Sequence, residues 1–194
     1  MKVVAIAGAS GAGKTWATER LVEVLRDLKV VVLPLDAYYY SCTDAEVAGY
    51  DFDRPEAVDL PLLVQHLADL RRGASICRPV YDFATNRRTG EVEVAGDVDV
   101  IVVEGLFALH DAALRASCDV LAFVEERESV CLKRRILRDV SDRGRAYTDA
   151  LAHLDQINQG LDLYVAPSRA HATIAGGSVH VAAGLVRAIL CGGE

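Results

Sequence analysis

The sequence lacks the features that mark membrane-spanning, disulfide-stabilised and nucleic-acid-coating proteins. No stretch approaches the roughly 18 consecutive apolar residues that a membrane-spanning helix needs. Cysteine is sparse, has no CxxC pair and occurs at an odd number of positions, namely Cys42, Cys77, Cys118, Cys131 and Cys191. Scattered cysteines of this kind are typical of reduced thiols that pack inside a cytoplasmic protein, and they argue against a disulfide framework or a zinc site.

Net positive charge is absent as well. The chain has 21 lysine and arginine residues against 28 aspartate and glutamate residues, which gives a formal net charge of −7. A surface that follows nucleic-acid phosphates needs a broad basic field. We therefore expect neither a nucleic-acid partner nor a membrane partner, while homo-oligomerisation stays open.

The apolar residues indicate the fold class. They make up 52% of the 194 residues, enough for one sizeable core, so we predict one domain over residues 1–194. Short β-branched runs alternate with stretches of helical periodicity, which is typical of a doubly wound parallel α/β sheet with flanking helices. Strands are expected at residues 3–7, 30–33, 98–103, 120–124 and 173–174, and helices at 17–28, 60–70, 110–116, 147–165 and 181–190.

The first predicted strand leads into a glycine-rich segment that matches GxxxxGK[ST] and comprises Gly8, Ala9, Ser10, Gly11, Ala12, Gly13, Lys14 and Thr15. Glycines let the backbone N–H groups turn inward, so that a polyphosphate meets oriented donors at the positive end of the following helix. Lys14 is expected to reach the β- and γ-phosphates, and the Thr15 hydroxyl to bind Mg²⁺. A chance glycine-rich turn is the alternative, but the strand before the segment and the helix after it favour a phosphate-binding loop.

Two carboxylates follow predicted strands and are expected at the same edge of the sheet as this loop. Asp36 is a candidate base for the hydroxyl proton of a phosphoryl acceptor. Glu104 is a candidate to hold a hydrated metal ion. The alternative roles are a turn cap for Asp36 and a plain polar strand end for Glu104.

A local excess of positive charge lies between residues 127 and 145, where seven basic residues face three acidic ones. Its crowded guanidinium groups predict a lid over about residues 135–147 that closes on bound phosphates. The arginines concerned are Arg135, Arg138, Arg143 and Arg145. A solvated helix face is the alternative.

Other segments are predicted from turn signals and side-chain type. A β-hairpin flap is expected over about residues 74–96, with its loop at 86–90, and residues 37–56 are expected to be mainly loop. Tyr38 and Tyr39 follow Asp36 and are either core residues or the lining of a pocket for a planar ligand; Trp16 is a candidate core residue. The histidines at 66, 110, 171 and 180 have no partners at ligand spacing and are expected to be surface or half-buried.

Six ordered segments make the chain similar to the uridine/cytidine kinase family, within the phosphoribulokinase and uridine kinase group of P-loop kinases. The segments are GASGAGKT, LDAYYY, YDFDRPEAVDLPLL, PVYDFATNRRTG, DVIVVEGLFAL and RRILRDVSDRGR. The similarity extends from Gly8 to about Ile174. It implies a cytoplasmic, Mg²⁺-dependent kinase that uses ATP or GTP to phosphorylate a nucleoside 5′-hydroxyl.

The resemblance also implies roles for individual residues. Asp36 matches the catalytic base of the family, and Thr15 with Glu104 matches its magnesium residues. Asp53 and Arg135 match the residues that hold the ribose hydroxyls.

Further roles concern the base pocket and the lid. Tyr81 and Phe83 match pocket residues around the base. Arg138 and Arg143 match lid arginines that face the phosphates, and Arg145 matches one that reaches the nucleoside.

Two positions depart from the family pattern. Asn86 stands where the family has a histidine that reads the pyrimidine edge, and His153 stands where a glutamine completes that contact. Hydrogen bonds to a polar edge discriminate strongly between substrates, although Asn86 still offers a donor and an acceptor. The acceptor is therefore open between uridine or cytidine and an analogue. A related kinase that acts on a sugar phosphate or vitamin precursor, and a regulatory nucleotide hydrolase, are the alternatives.

Overall fold

The computed structural model describes residues 1–47, 49–142, 146–148 and 153–191. These residues contain a five-stranded sheet formed by β1 (Lys2–Gly8), β2 (Val30–Pro34), β5 (Val100–Glu104), β6 (Val120–Val124) and β7 (Ile174–Gly176). The strand order is β2-β5-β1-β6-β7, and every neighbouring pair is parallel. The prediction of a parallel α/β sheet is confirmed.

Helices connect the strands and cover the sheet. They are α1 (Lys14–Val24), α2 (Asp44–Val47), α3 (Leu60–Arg71), α4 (Ala112–Ala116), α5 (Glu128–Ser141), α6 (Leu154–Gly160) and α7 (Ser178–Leu190). Short 3₁₀ turns occur at Leu35–Tyr38, Pro55–Ala57 and Ala166–His171, and a π-helical turn occurs at Leu161–Val165. None of the helices within the described ranges is long and apolar enough to cross a bilayer.

The end of α1 differs from the prediction. Leu25 and Leu28 continue the apolar spacing, yet the helix ends at Val24, and the Leu28 N–H bonds to the Leu25 carbonyl in a turn. Leu25 is buried in the same cluster as the helix. Apolar periodicity therefore extends past the helix because the turn into β2 also faces the core.

Both faces of the sheet are buried, as continuous apolar strands predict. Alternate residues of β1 point to opposite layers. Val3, Ala5 and Ala7 pack on the side of α3 and α4, whereas Val4 and Ile6 pack against α1 and α7. All five side chains are fully buried, so the central strand is inaccessible from Val3 to Ala7.

Strand pairing determines where the polar strand ends meet. Residues Ile6 of β1 and Pro34 of β2 both lie opposite Glu104 of β5. The loop that starts at Gly8, the turn that contains Asp36 and the end of β5 therefore share one edge, as predicted. β1 also has β5 on one side and β6 on the other, an arrangement that opens a crevice in α/β sheets.

The hairpin lies within the predicted flap, but its strands extend further towards the turn than predicted. Strands β3 (Ile76–Asp82) and β4 (Arg87–Val94) pair antiparallel, with Asp82 opposite Arg87. The predicted loop over residues 86–90 is therefore wrong except at Asn86, which takes a left-handed φ of 52° and ends the turn. Residues 87–90 of β4 gave no strand signal because they are polar and mostly exposed, whereas residues 91–94 alternate polar and apolar side chains, as the predicted hairpin requires.

Several predictions of burial are also wrong. His66 is buried, with its Nδ1 atom 3.0 Å from the Tyr38 hydroxyl oxygen, and that hydrogen bond offsets the cost of removing these two atoms from water. Trp16 is 46% exposed and does not belong to the core. Cys77 and Cys191 are exposed free thiols, whereas Cys42 and Cys131 are buried as expected.

The buried imidazole should make stability depend on pH. Burial lowers the pKa of His66 below its ordinary value, so the unfolded chain binds a proton more readily than the folded one. Stability is then lost as pH falls through the pKa of the unfolded state. We expect the urea midpoint to fall between pH 7.5 and pH 5.5, and to fall less in His66→Asn. His171 is exposed and provides the control: in His171→Asn the urea midpoint should change with pH as it does in the wild type. An equal change of the midpoint with pH in His66→Asn and His171→Asn would contradict the role of His66.

Candidate active site

A cleft of about 630 Å³ opens at the carboxyl edge of the sheet. Ten of the residues predicted from the sequence line it. On the side of the phosphate loop these are Ser10, Lys14, Thr15, Asp36 and Glu104. The other five are Tyr39, Asp53, Phe83, Arg135 and Arg138, of which Arg138 bonds to Ser10 of the phosphate loop. Ser10 and Arg138 are 128 positions apart in sequence, and they line one cleft because the fold brings the phosphate loop and α5 together.

The glycines of the loop are required at two positions by geometry. Gly13 has a φ of 102° and directly precedes α1, a conformation that costs other residues energy. Gly11 has a φ of 84°, and an added Cβ atom would lie 2.5 Å from the Cys131 carbonyl oxygen. The loop therefore packs directly on the backbone of α5, and its N–H groups at the start of α1 suit a phosphate.

The Lys14 ammonium lies inside this loop. Its Nζ atom donates to the carbonyls of Gly8 and Ala9, each at 3.0 Å. Burial lowers the pKa of Lys14, and the Glu104 and Asp36 carboxylates oppose that shift. Lys14 is thus electrostatically coupled to both carboxylates at the edge of the sheet.

Glu104 has the properties of a residue that holds a hydrated cation. Its Oε1 atom accepts from the Thr15 hydroxyl at 3.4 Å, while its buried Oε2 atom has no hydrogen-bond partner among the described residues. Burial raises the pKa of Glu104, and Lys14 opposes the rise. A hydroxyl beside an unsatisfied carboxylate oxygen fits Mg²⁺, which keeps several of its waters and needs few protein ligands. In the described part of the chain no cluster of three or more His, Cys, Asp or Glu residues could hold a metal by itself.

A buried ion pair joins α5 to the far wall of the cleft. Arg135 donates from Nη1 and Nη2 to the two carboxylate oxygens of Asp53, each at 2.7 Å. Asp139 lies almost fully buried behind it, with Oδ2 3.8 Å from Arg135 Nε. Arg138 donates from Nη2 to the Ser10 hydroxyl at 2.9 Å. Two predicted arginines of α5 therefore face the cleft, one towards the wall and one towards the phosphate loop.

Aromatic rings form the wall near Asp36. The Tyr39 ring lies 5.8 Å from Phe52, 5.5 Å from Tyr81 and 6.4 Å from Phe83, measured between ring centroids. Tyr39 also donates its hydroxyl to the Phe52 carbonyl at 3.0 Å. Tyr81 is buried behind the other rings and does not itself line the cleft.

Sequence reasoning missed four residues of the site, and two of these, Gly105 and Leu106, line the cleft directly after Glu104. Phe52 lines the cleft, and its position directly before Asp53 is the signal that could have indicated it. Asp139 stands four residues after Arg135 on α5, the spacing at which helical side chains meet.

Other predicted residues lie elsewhere. Asn86 borders a separate depression at the hairpin turn, where its carbonyl accepts from the Cys42 N–H at 2.9 Å. His153 directly precedes α6 and is not among the residues that line the cleft. Arg143 and Arg145, and with them part of the predicted lid, lie outside the described residues.

A parallel sheet whose first strand ends in this loop, with Lys14, Thr15 and two carboxylates at the same edge, is the arrangement of a P-loop nucleotide-binding protein. Residues 3–181 match the model of the Phosphoribulokinase / Uridine kinase family, and the chain belongs to that family. It is accordingly a phosphotransferase that acts on a hydroxyl group.

Individual relatives agree with this assignment. A uridine kinase of Bacillus pumilus is 35% identical over 191 residues, which are 95% of this chain and 91% of that protein. A uridine kinase of Schizosaccharomyces pombe is 36% identical over 87% of this chain, which spans only 37% of that protein's length. The structure of phosphoribulokinase from Rhodobacter spheroides has a TM-score of 0.66 at 16% identity, covers 90% of this chain and 68% of its own, and is evidence for the fold alone.

The contact between the loop and α5 leads to a prediction about nucleotide binding. Gly11→Ala should push the loop away from the Cys131 carbonyl and lower the affinity for ADP by about tenfold or more, because oriented N–H groups hold the phosphates. Isothermal titration calorimetry measures the change. Gly90→Ala is the matched control, since nothing lies within 4 Å of a Cβ atom added there. An unchanged affinity in Gly11→Ala would show that the close contact does not shape the loop.

Proposed function

We propose that the protein transfers the γ-phosphoryl group of ATP or GTP, with Mg²⁺, to the 5′-hydroxyl of a pyrimidine nucleoside or a close analogue. The observation that carries the proposal is that the phosphate loop, Asp36 and the Asp53–Arg135 pair line one cleft. A donor phosphate at the loop and an acceptor against the aromatic wall would then meet beside Asp36. The uridine kinases among the relatives support a nucleoside acceptor.

On the donor side the chain supplies cations and oriented N–H groups. Lys14 would exchange its bonds to the Gly8 and Ala9 carbonyls for bonds to phosphate oxygens, and Arg138 is held above the loop by Ser10. Thr15 and Glu104 would hold Mg²⁺, which when bound supplies positive charge to the phosphate oxygens. Charge that develops during transfer is thus met by groups already in place.

On the acceptor side Asp36 would take the proton of the attacking hydroxyl onto a carboxylate oxygen. The hydroxyl oxygen then bonds to the γ-phosphorus as the bond to the bridging oxygen breaks, and ADP or GDP leaves. A positioned base contributes about 10²–10⁴ in rate. The alignment of acceptor and phosphate supplies much of the remaining rate enhancement, because the protein forms no covalent bond to the transferred group.

The wall of the cleft suits a ribose with a planar base. Each oxygen of Asp53 accepts one hydrogen bond from Arg135, and a carboxylate oxygen has a second acceptor site. A vicinal diol can donate to those sites while its oxygens accept from the guanidinium. Phe52, Phe83 and Tyr39 offer ring faces and edges for a base.

The identity of the acceptor can be tested by ADP release over a panel of nucleosides, sugar phosphates and small alcohols. We expect turnover with uridine or cytidine at least about tenfold above the rate without an acceptor. Turnover only with a sugar phosphate would contradict the nucleoside acceptor. Hydrolysis that no acceptor stimulates would contradict the kinase reaction and favour a regulatory nucleotide hydrolase.

The role of Asp36 can be tested separately. Asp36→Asn keeps the size of the side chain but removes its basicity, so acceptor-dependent kcat should fall by about 10² or more while the affinity for ADP changes little. Steady-state kinetics and calorimetry measure the two quantities. Asp97→Asn, on the exposed surface near Lys29, is the control and should retain wild-type kcat. A near-normal kcat in Asp36→Asn would exclude Asp36 as the base.

A further inference from the structure

Arg88 of β4 contacts the segment that follows Asp36. Its Nε atom donates to the Tyr39 carbonyl and its Nη2 atom to the Tyr38 carbonyl, each at 2.9 Å. The same Nη2 atom lies 3.2 Å from Asp59 Oδ2. The guanidinium therefore binds two successive carbonyls and a carboxylate at once, which its planar fork of donors allows.

These contacts connect three elements of the fold. The Tyr38 carbonyl also accepts from the Asp59 N–H at 2.9 Å, and Asp59 caps α3 by accepting from the Leu62 N–H at 3.2 Å. The Arg88 N–H donates to the Ser41 hydroxyl at 2.9 Å. Arg88 thus joins the hairpin, the start of α3 and residues 38–41.

The segment that Arg88 binds carries the candidate base. Asp36 belongs to the 3₁₀ turn Leu35–Tyr38, and Tyr38 at the end of this turn is fully buried and bonded to His66. The core thus fixes the Tyr38 side chain, while Arg88 fixes the backbone carbonyls that follow the turn. Arg88 does not line the cleft, so any effect on the reaction must act through this turn.

We propose that Arg88 is a positioning residue for phosphoryl transfer: by binding the Tyr38 and Tyr39 carbonyls it fixes the turn that presents Asp36 to the acceptor hydroxyl. The proposal rests on the proposed function, in which Asp36 takes the proton of that hydroxyl. A displacement of about 1 Å at the reacting centre can cost about 10² in rate. The hairpin would then serve the catalytic turn as well as the wall of the cleft.

The experiment is a double-mutant cycle between Arg88→Met and Asp36→Asn. In the wild-type background Arg88→Met should lower acceptor-dependent kcat by about 10- to 100-fold, with the KM for ATP unchanged. In the Asp36→Asn background the same change should lower the residual kcat, measured with radiolabelled ATP, by less than about threefold. When one residue acts through another, the effects of the two substitutions on kcat are not additive.

Two further variants keep the test decisive. Arg72→Met removes an arginine that is paired with Asp69 on the surface, and it should retain wild-type kcat. Arg88→Lys retains the charge beside Asp59 but lacks the planar fork of donors that reaches the two carbonyls and the carboxylate together. It should therefore show a smaller loss of kcat in the same direction, and it replaces Arg88→Met if that variant does not fold. Urea denaturation and ADP affinity establish that each variant is folded.

The outcomes separate the two proposals. Equal losses of kcat from Arg88→Met in both backgrounds, or a wild-type kcat in Arg88→Met or Arg88→Lys, would overturn the positioning role while leaving the kinase reaction intact. A wild-type enzyme without acceptor-dependent turnover would instead overturn the proposed function.

Discussion

The site depends on the parallel pairing of β2, β5 and β1. Because Ile6 and Pro34 both lie opposite Glu104, the pairing of the three strands brings together the phosphate loop, the Asp36 turn and the end of β5. Side chains one residue out of register would point to the other face of the sheet, so the buried alternation of β1 fixes this register. The position of the charged groups is therefore a consequence of how the apolar core packs.

The Asp53–Arg135 pair has a different energetic character. Removing two charges from water is costly, and the attraction between them offsets that cost only with good geometry and further hydrogen bonds. Here both guanidinium Nη atoms bind the Asp53 carboxylate, and Asp139 places a second negative charge near the Nε atom of the same guanidinium. Loss of one partner alone would leave an uncompensated buried charge, at a cost of about 3–5 kcal/mol. Such a pair contributes more to the orientation of the wall than to net stability.

The sequence predicts the parts of the structure that depend on local pattern. The sheet strands could be recognised because burial on both faces makes them continuous apolar runs, whereas residues 87–90 of the exposed β4 are polar and have no such signal. The loop, Asp36 and Glu104 could be placed because strand ends share an edge.

The Asp53–Arg135 bond could not be predicted from spacing, since 82 positions separate the partners. Two of the Arg88 contacts are with backbone carbonyls, which no residue type reveals. Asn86 belongs to the hairpin turn and borders a separate depression, a placement that depends on how the hairpin packs and not on local pattern.

The close packing of Gly11 on the Cys131 carbonyl limits how α5 can move. This contact is made near the start of the helix, so movement of the helix at Cys131 would deform the phosphate loop. At 1.5 Å per residue, Arg135 lies roughly 6 Å and Arg138 roughly 10 Å along the axis from Cys131. If α5 tilts about the contact at Cys131, the displacement of a residue grows with its distance from that contact. The displacement is small at Arg135 and largest at the carboxyl end of α5, where the helix reaches Ser141.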